Sequence, residues 1–371
     1  MSSIWGNMLK ISLFGESHGA GIGVVIDGLP SGQIIDLKTV EEMMQRRAPG
    51  RTAWSTPRSE ADQVEILSGF FEGCTTGTPL AGLIRNSDTR SGDYSELRIK
   101  PRPGHADLTG LARYQGFNDP RGGGHFSGRL TAPLTFAGAV SKQILAKRGI
   151  LIAARITEIA GINDQPLDPA SPDIDILKSF AAQSIPTVSA SAGEAMKQAV
   201  LKAKAQTDSV GGVVECFVVG LPAGLGDPIF DGIESRLGGL LFAIPAVKGV
   251  EFGAGFQASR RNGSQNNDVP AYAGNGIRMQ SNNGGGSDGG ISNGMPLVFR
   301  VAFKPTASIG KPQQTINLQT GESEELIIHG RHDPCIVPRA VPVVEAAAAV
   351  FALDLIMEAE GRLTAFKTDD K

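Results

Sequence analysis

Cysteine is scarce: three residues, Cys74, Cys216 and Cys335, far apart and odd in number. They fit no disulfide framework and no Cys-x-x-Cys metal spacing, so a reducing cytoplasm is the simplest compartment to expect. Aromatic residues make up only 6% of the chain, too few for a surface on which bases stack. Neither sign of charge dominates. Lys and Arg number 35 against 38 Asp and Glu, a net charge of −3, which excludes a global basic face for nucleic acid and a long acidic tail. Any anion site must come from local clustering. The N-terminal stretch, Met1 to Gly15, has no basic region followed by an apolar run, so no signal peptide is expected. No apolar stretch is expected to reach the ~20 residues of a membrane span. No two histidines show a His-Glu-x-x-His spacing, and no metal site is expected.

Glycine is abundant instead, 48 of 371 residues, about twice the usual ~7%. The densest chemistry lies in Arg102 to Arg129, which holds His105 and His125, four arginines and the triplet Gly122-Gly123-Gly124. Three adjacent glycines are poor helix or strand interior and suit a loop whose backbone is closely approached. The alanine-rich segment Leu130 to Arg148 then reads as a helix ending at Gly149. A glycine loop feeding a helix N-terminus between guanidinium groups is a good anion site. A surface turn with solvated arginines is the bland alternative.

Around this centre, Lys10 to Phe14 reads as a strand entering Gly15-Glu16-Ser17-His18-Gly19, a turn on which His18 can reach a ligand. Val24 to Pro30 is a second strand. Asp36 reads as the N-cap of a helix to Arg47 with Met43 and Met44 inward. Arg46, Arg47, Arg51 and Arg58 cluster beyond what a helix C-terminus needs. Strands are expected over Val64–Phe71, Thr78–Arg85, Ile150–Ala160, Gly249–Phe256 and up to Phe303. A helix is expected over Ser189–Gln206, and Asn163–Ile185 reads as a surface excursion. The chain then repeats itself: Phe217 to Gly224 echoes Val24 to Gly32, and Gly294-Met295-Pro296-Leu297 echoes Gly77-Thr78-Pro79-Leu80. Two strand–helix–strand–strand halves follow, about 8–149 and 150–362, the second lengthened by a Gly/Asn/Ser-rich, flexible insertion over about 261–293. The expected fold is α+β: residues 1–371 as a single domain, a helical layer sandwiched between two antiparallel sheets by duplication of a β-α-β-β unit. A doubly wound parallel sheet fits less well, since no Gly-x-Gly-x-x-Gly opens a helix after the first strand. Pro342 to Arg362, almost wholly apolar, is the expected centre of the helical layer.

Taken in order, Gly15-Glu16-Ser17-His18-Gly19, Arg102-Pro103-Gly104-His105-Ala106-Asp107, Ala246 to Glu251, Gly289-Gly290-Ile291-Ser292, Lys304-Pro305-Thr306 and Arg331-His332-Asp333-Pro334 closely resemble the chorismate synthase family. The resemblance runs from about Met8 to the end of the terminal helix. It implies a homotetramer of sandwiched helices and sheets. The implied reaction is the anti-1,4-elimination of phosphate from 5-enolpyruvylshikimate 3-phosphate to give chorismate, with reduced FMN and no net redox change. It further implies that His18 protonates the leaving phosphate, that His105 sits against the reduced flavin, and that Asp333 assists removal of the ring hydrogen. Flavin contacts would come from His125, Phe126, Ser127, Pro245, Ala246, Gly289, Lys304, Pro305, Thr306, Ala307, Ser308 and Arg331. Arg47, Arg102 and Arg129 match positions that hold substrate anions.

Two departures stand out. The family commonly shows Arg-Ser-Ser-Ala-Arg-Glu-Thr after the glycine triplet, where this chain has His125-Phe126-Ser127-Gly128-Arg129-Leu130-Thr131. An arginine usual six residues beyond Arg47 is Ala53 here, with Arg51 and Arg58 as substitutes. The chemistry agrees with the implied reaction. A substrate with two carboxylates and a phosphate explains arginine clustering in a net-acidic protein. The hydrogen lost is not acidic, so the reaction needs what amino acids lack. The rival readings are a flavin or nicotinamide oxidoreductase acting on a phosphorylated substrate, and a non-enzymatic anion-binding module. How reduced flavin is obtained, from outside or with NADPH, is not legible in the sequence.

Overall fold

The computed structural model describes residues 3–50, 52, 54–56, 60–87, 96–274, 276–328 and 332–365. Strands β1 (Ile4–Trp5), β2 (Lys10–Gly15), β3 (Gly21–Asp27), β4 (Val64–Ser68) and β5 (Leu80–Arg85) form an antiparallel sheet in the order β1-β2-β3-β5-β4. Strands β6 (Leu151–Ile159), β7 (Ile162–Asn163), β8 (Gly212–Val219), β9 (Val247–Phe252) and β10 (Leu297–Phe303) form a second antiparallel sheet, β7-β6-β8-β10-β9. Four strands match in order, β2-β3-β5-β4 with β6-β8-β10-β9, while the added edge strand precedes its neighbour in the first half (β1) and follows it in the second (β7). Each half also has its register shift in the same outer pair, between Ile66 and Ser68 in β4 and between Val247 and Gly249 in β9. The two bulges lie at opposite ends of that pair, beside Ala81 near the start of β5 and beside Ala302 near the end of β10, so it is the shared strand order that argues for duplication.

Helix α1 (Leu37–Arg47) lies between β3 and β4, and α5 (Ile233–Phe242) lies between β8 and β9. The Asp36 carboxylate caps α1 by accepting from the Lys38 amide at 2.9 Å, and Val40, Met43, Met44 and Arg47 are buried. Helix α2 (Asp107–Tyr114) precedes the glycine strip. Helix α3 (Thr131–Ala146) packs on β2, β3 and β5 of the first sheet, α6 (Val337–Ala365) packs on β6 and β8 of the second, and the two helices pack on each other. Their contact is close because Gly138 has no side chain: a Cβ there would lie 2.2 Å from both Cα and Cβ of Ala346. Gly138→Ala must push the helices apart, and we expect it to cost roughly 1–3 kcal/mol, the usual penalty of overpacking, read as an earlier midpoint in urea.

Several expectations are corrected. The terminal helix starts at Val337 rather than Pro342, with Pro342 inside it. Burial of Val337, Val341 and Val344 offsets the backbone bond that Pro342 removes. The helix is also long and apolar enough to cross a membrane, contrary to the sequence expectation, but it is buried between the sheets. The segment expected as a surface excursion holds a helix, Ile174–Ser179, whose Leu177 packs with Phe180 against Ala153, Phe217 and Val298. The outer face of the second sheet is therefore covered as well, with α4 (Ala190–Ala205) beside it, so this sheet does not have helices on one face only. The Gly/Asn/Ser-rich insertion carries a hairpin, Pro270–Ala273 with Gly276–Met279. Asp268 pins it by accepting from the amides of Asn283 and Gly284. Buried Asn282 donates to the carbonyls of Pro169 and Pro296.

Candidate functional site

The glycine triplet is a wall between two histidines. Gly122, Gly123 and Gly124 have φ of 60°, 91° and 53°, and Gly124 has ψ −127°, a run that L side chains do not follow. A Cβ on Gly122 would lie 2.1 Å from Nδ1 and Cε1 of His18, and one on Gly123 would lie 3.1 Å from Cε1 and Nε2 of His105. His18 sits one layer behind the strip, buried. Its Nδ1 is 3.0 Å from the Ser17 hydroxyl, which donates to the Arg121 carbonyl. The hydroxyl proton is thus spent, and Nδ1–H donates to Ser17. The closest neighbours of Gly122 and Gly123 are the imidazoles themselves, and that of Gly124 is the Asp119 carbonyl, 2.3 Å from where a Cβ would lie.

His105 is held by a carboxylate. Its Nδ1 is 2.6 Å from Oδ1 of Asp107, the first residue of α2. Arg102 donates to the same carboxylate through its amide, Nε and Nη2 at 2.9, 2.8 and 2.7 Å. Burial pushes the Asp107 carboxyl up, but the bonds from Arg102 and His105 outweigh it and hold the group well below the usual carboxylate range. An ionised Asp107 makes Nδ1 the protonated nitrogen of His105 and turns Nε2 toward Gly123. Arg102 also donates to the Ser308 hydroxyl at 3.2 Å.

Asp62 bridges two buried arginines. Arg47 donates to Oδ2 of Asp62 at 2.5 Å, to Thr131 at 3.2 Å and to the Gly128 carbonyl at 3.2 Å. Arg129 is bonded to Oδ1 of Asp62 and to Asn86, with Glu60 3.5 Å from its Nη2. Burial lowers the Arg47 guanidinium to about 10, with Arg339 and Arg129 adding to the drop and Asp62 opposing it. Asp333 is held by the Thr56 amide at 2.9 Å and by an ion pair with Arg339, whose Nε donates to the Arg47 carbonyl.

These groups surround one cavity of about 680 Å³, within the ~300–1,000 Å³ that usually takes a drug-sized ligand. Arg47, Arg102, Arg129, Lys248, Lys304 and Arg339 line it, and the one lining carboxylate among the described residues is Asp333. His105, His125, Phe126, Ser127, Pro245, Ala246 and Lys304 to Ser308 also lie on its wall, as does Gly122, the residue in front of His18. Ala246 has φ 74°, a strained conformation for a residue with a side chain, and its carbonyl accepts from the Lys304 amide at 2.9 Å. Three buried atoms of wall residues have no hydrogen-bond partner, Nη2 of Arg129, Oγ1 of Thr306 and Nε2 of His332. Native proteins rarely leave such atoms unmet, and ones on a cavity wall point to a polar ligand. An apolar strip from Phe242 to Val247 faces this polar set, a combination that fits a flat heterocycle with a polar edge.

His18 and Gly289 are the sequence candidates that do not line the cavity. Gly289 is at the turn of the short hairpin Ser287–Asp288 and Ile291–Ser292, whose next residue, Gly290, accepts from the first amide of α5. Arg51 and Arg331 lie outside the described residues. Sequence reasoning gave no role to Asp62, Asp107, His332 or Arg339. Asp107 had a signal, a carboxylate two residues after a singled-out histidine. Arg339 was lost with the misplaced start of α6.

A family model described as chorismate synthase matches residues 9–357. The chorismate synthase of Methanosarcina acetivorans is 47% identical over 352 residues, covering 95% of each chain. That of Dehalococcoides mccartyi is 46% identical over 359 residues, covering 97% of this chain and 98% of its own. A crystal structure of a chorismate synthase superposes with a TM-score of 0.74 at 30% identity, covering 96% of this chain and 94% of that one.

Proposed function

Because the chain belongs to the chorismate synthase family, we propose that this cavity converts 5-enolpyruvylshikimate 3-phosphate to chorismate with reduced FMN. The observation that carries this assignment to the cavity is its wall of arginines and lysines around one carboxylate among the described residues, beside an apolar strip and three unmet polar atoms. Reduced FMN, when bound, supplies an electron-rich ring that donates and recovers an electron where the ring hydrogen is not acidic. Thr306, Ala307, Ser308, Lys304, Pro245, Ala246, His125, Phe126 and Ser127 would hold it, with Arg331 added by resemblance. Gly289 lies away from the wall, and a role for it in cofactor binding needs a second copy of the chain or a movement of its hairpin.

The chain's own residues then do three things. Arg47 and Arg129 hold substrate anions, while Arg102, already committed to Asp107 and Ser308, chiefly fixes His105. His18, assigned by resemblance the proton given to the leaving phosphate as its C–O bond breaks, lies behind Gly122, and its ring must reach the cavity past the glycine strip. Asp333, anchored by Thr56 and Arg339, assists removal of the ring hydrogen, which leaves as a proton. One C–O and one C–H bond are lost and one C=C bond is gained, so nothing is oxidised overall.

The test is anaerobic incubation with the enolpyruvyl substrate and reduced FMN, following chorismate by absorbance. One phosphate per chorismate with no net flavin oxidation is expected. Net reduction of an added acceptor would favour the oxidoreductase reading instead, and phosphate binding without turnover the binding module. The same assay with oxidised FMN and NADPH decides whether the enzyme prepares its own cofactor. We further propose a cytoplasmic homotetramer, supported by the free thiols and by exposed Phe230, Phe256 and Tyr272, which light scattering checks.

His125 differs from its neighbours in being pinned at both ring nitrogens, Nδ1 to the Gly15 carbonyl at 2.9 Å and Nε2 to the Ser3 hydroxyl at 3.0 Å. It therefore meets a ligand by its ring edge and not as a proton donor. His125→Ala is expected to weaken FMN binding about five- to tenfold, the worth of roughly 1 kcal/mol of contact, with little change in single-turnover rate at saturating FMN.

A further inference from the structure

Two guanidinium groups packed together in a buried place repel each other, and each loses hydration. Arg47 and Arg129 are in that position, 2% and 5% exposed. Between them stands Asp62, whose side chain is fully buried and absent from the cavity wall. It spends one carboxylate oxygen on each arginine, Oδ2 on Nη1 of Arg47 and Oδ1 on Nη1 of Arg129. The backbone at Asp62 has φ 50°, a left-handed conformation that is uncommon for residues other than glycine. That strain is tolerated only where the surroundings over-determine it. The remaining partners come from other segments: Thr131 and Gly128 on Arg47, Asn86 and Glu60 on Arg129.

We propose that Asp62 is a positioning residue, a carboxylate clamp that fixes the spacing of Arg47 and Arg129 on the cavity wall and so sets the geometry in which substrate anions are gripped. With Glu60 3.5 Å from Arg129, the two carboxylates balance the two guanidinium groups, so neither cation is left unpaired and buried in the free enzyme. Asp62 does not touch the ligand. It acts through the two arginines, and the inference rests on the proposal that they hold substrate.

A grip used equally before and during reaction raises KM when lost and leaves kcat alone. In steady-state assays at saturating reduced FMN, Asp62→Asn is expected to raise the substrate KM about tenfold or more, with kcat within about threefold. Its amide must turn an NH2 toward one arginine, so the clamp opens on that side. Asp62→Glu keeps the charge and lengthens the arm. It is expected to raise KM about three- to tenfold with an unchanged urea midpoint, and it decides the matter alone should the Asn variant not fold. Wild-type KM in the folded variants, or a fall in kcat with KM unchanged, overturns the proposal. Arg129→Gln, run in parallel, separates the two layers. An unchanged KM there overturns the assignment of the arginines to substrate. A raised KM there beside wild-type KM in the Asp62 variants overturns the clamp alone.

Discussion

Alanine at His18 or at His105 is expected to lower single-turnover chorismate formation by roughly 10²–10⁴-fold, the usual range for a lost proton donor. The two losses arise differently. His18 is oriented through Nδ1 by Ser17, behind the backbone of Gly122, and its loss removes the proton offered to the departing phosphate. His105 is on the cavity wall with Nδ1 on Asp107 and Nε2 beside Gly123, and its loss leaves the Asp107–Arg102 pair with no imidazole to present. Substrate affinity should change far less, because arginines do the anion holding. Gly122→Ala provides an independent arm. Its Cβ would occupy space 2.1 Å from the His18 ring, in a backbone with φ 60°, so it should reproduce the His18 loss with the imidazole still present. Rapid-quench rates at saturating reduced FMN decide this. Near wild-type rates for both His18→Ala and His105→Ala would show that neither is the donor. A normal rate for Gly122→Ala would show that the strip does not set the position of His18.

What could be read from the sequence follows from locality. Asp36 capped the first helix because its carboxylate reaches an amide two residues on, an interaction written within one turn. Gly122 to Gly124 stood out because a run of three excludes ordinary strand and helix. The duplication was legible as Leu-Pro-x-Gly and Gly-x-Pro-Leu echoes, while its firmer mark, the shared order of four strands in each sheet, has no sequence text. The site's counterions were hidden for a different reason. Asp62 and the arginine it meets at position 129 are 67 residues apart, and Asp333 meets the Thr56 amide across 277. No pattern of spacing encodes such meetings; the first exists only once distant segments of one half pack, the second only once the two halves do. Gly289 shows the reverse case. Its motif matched, but the hairpin that carries it docks on the first turn of α5, away from the wall.

Asp107→Asn is expected to cost about 10²–10⁴ in turnover, as when a carboxylate that fixes a catalytic histidine's tautomer becomes an amide in other enzymes. The carboxylate accepts from four donors, the amide, Nε and Nη2 of Arg102 and Nδ1 of His105. An asparagine has one acceptor oxygen. Whichever way it turns, an NH2 faces either the Arg102 side or the imidazole. Facing His105, it donates to Nδ1, moves the ring proton to Nε2 and inverts the tautomer. Facing Arg102, it breaks two charge-assisted bonds worth more than neutral ones and frees the guanidinium to move. Both routes also remove the negative charge that faces Nδ1 of His105. A purely structural role would give a lower urea midpoint with an unchanged rate per folded molecule. The nitrogen-15 spectrum of the His105 ring separates the cases, since protonated and bare nitrogens resonate far apart. If the Asn variant turns over normally with Nδ1 still protonated, the carboxylate is not what orients His105. If the rate falls and the Nδ1 signal moves to that of a bare nitrogen, Asp107 acts through the histidine, and restoring a carboxylate with Asp107→Glu should recover part of both.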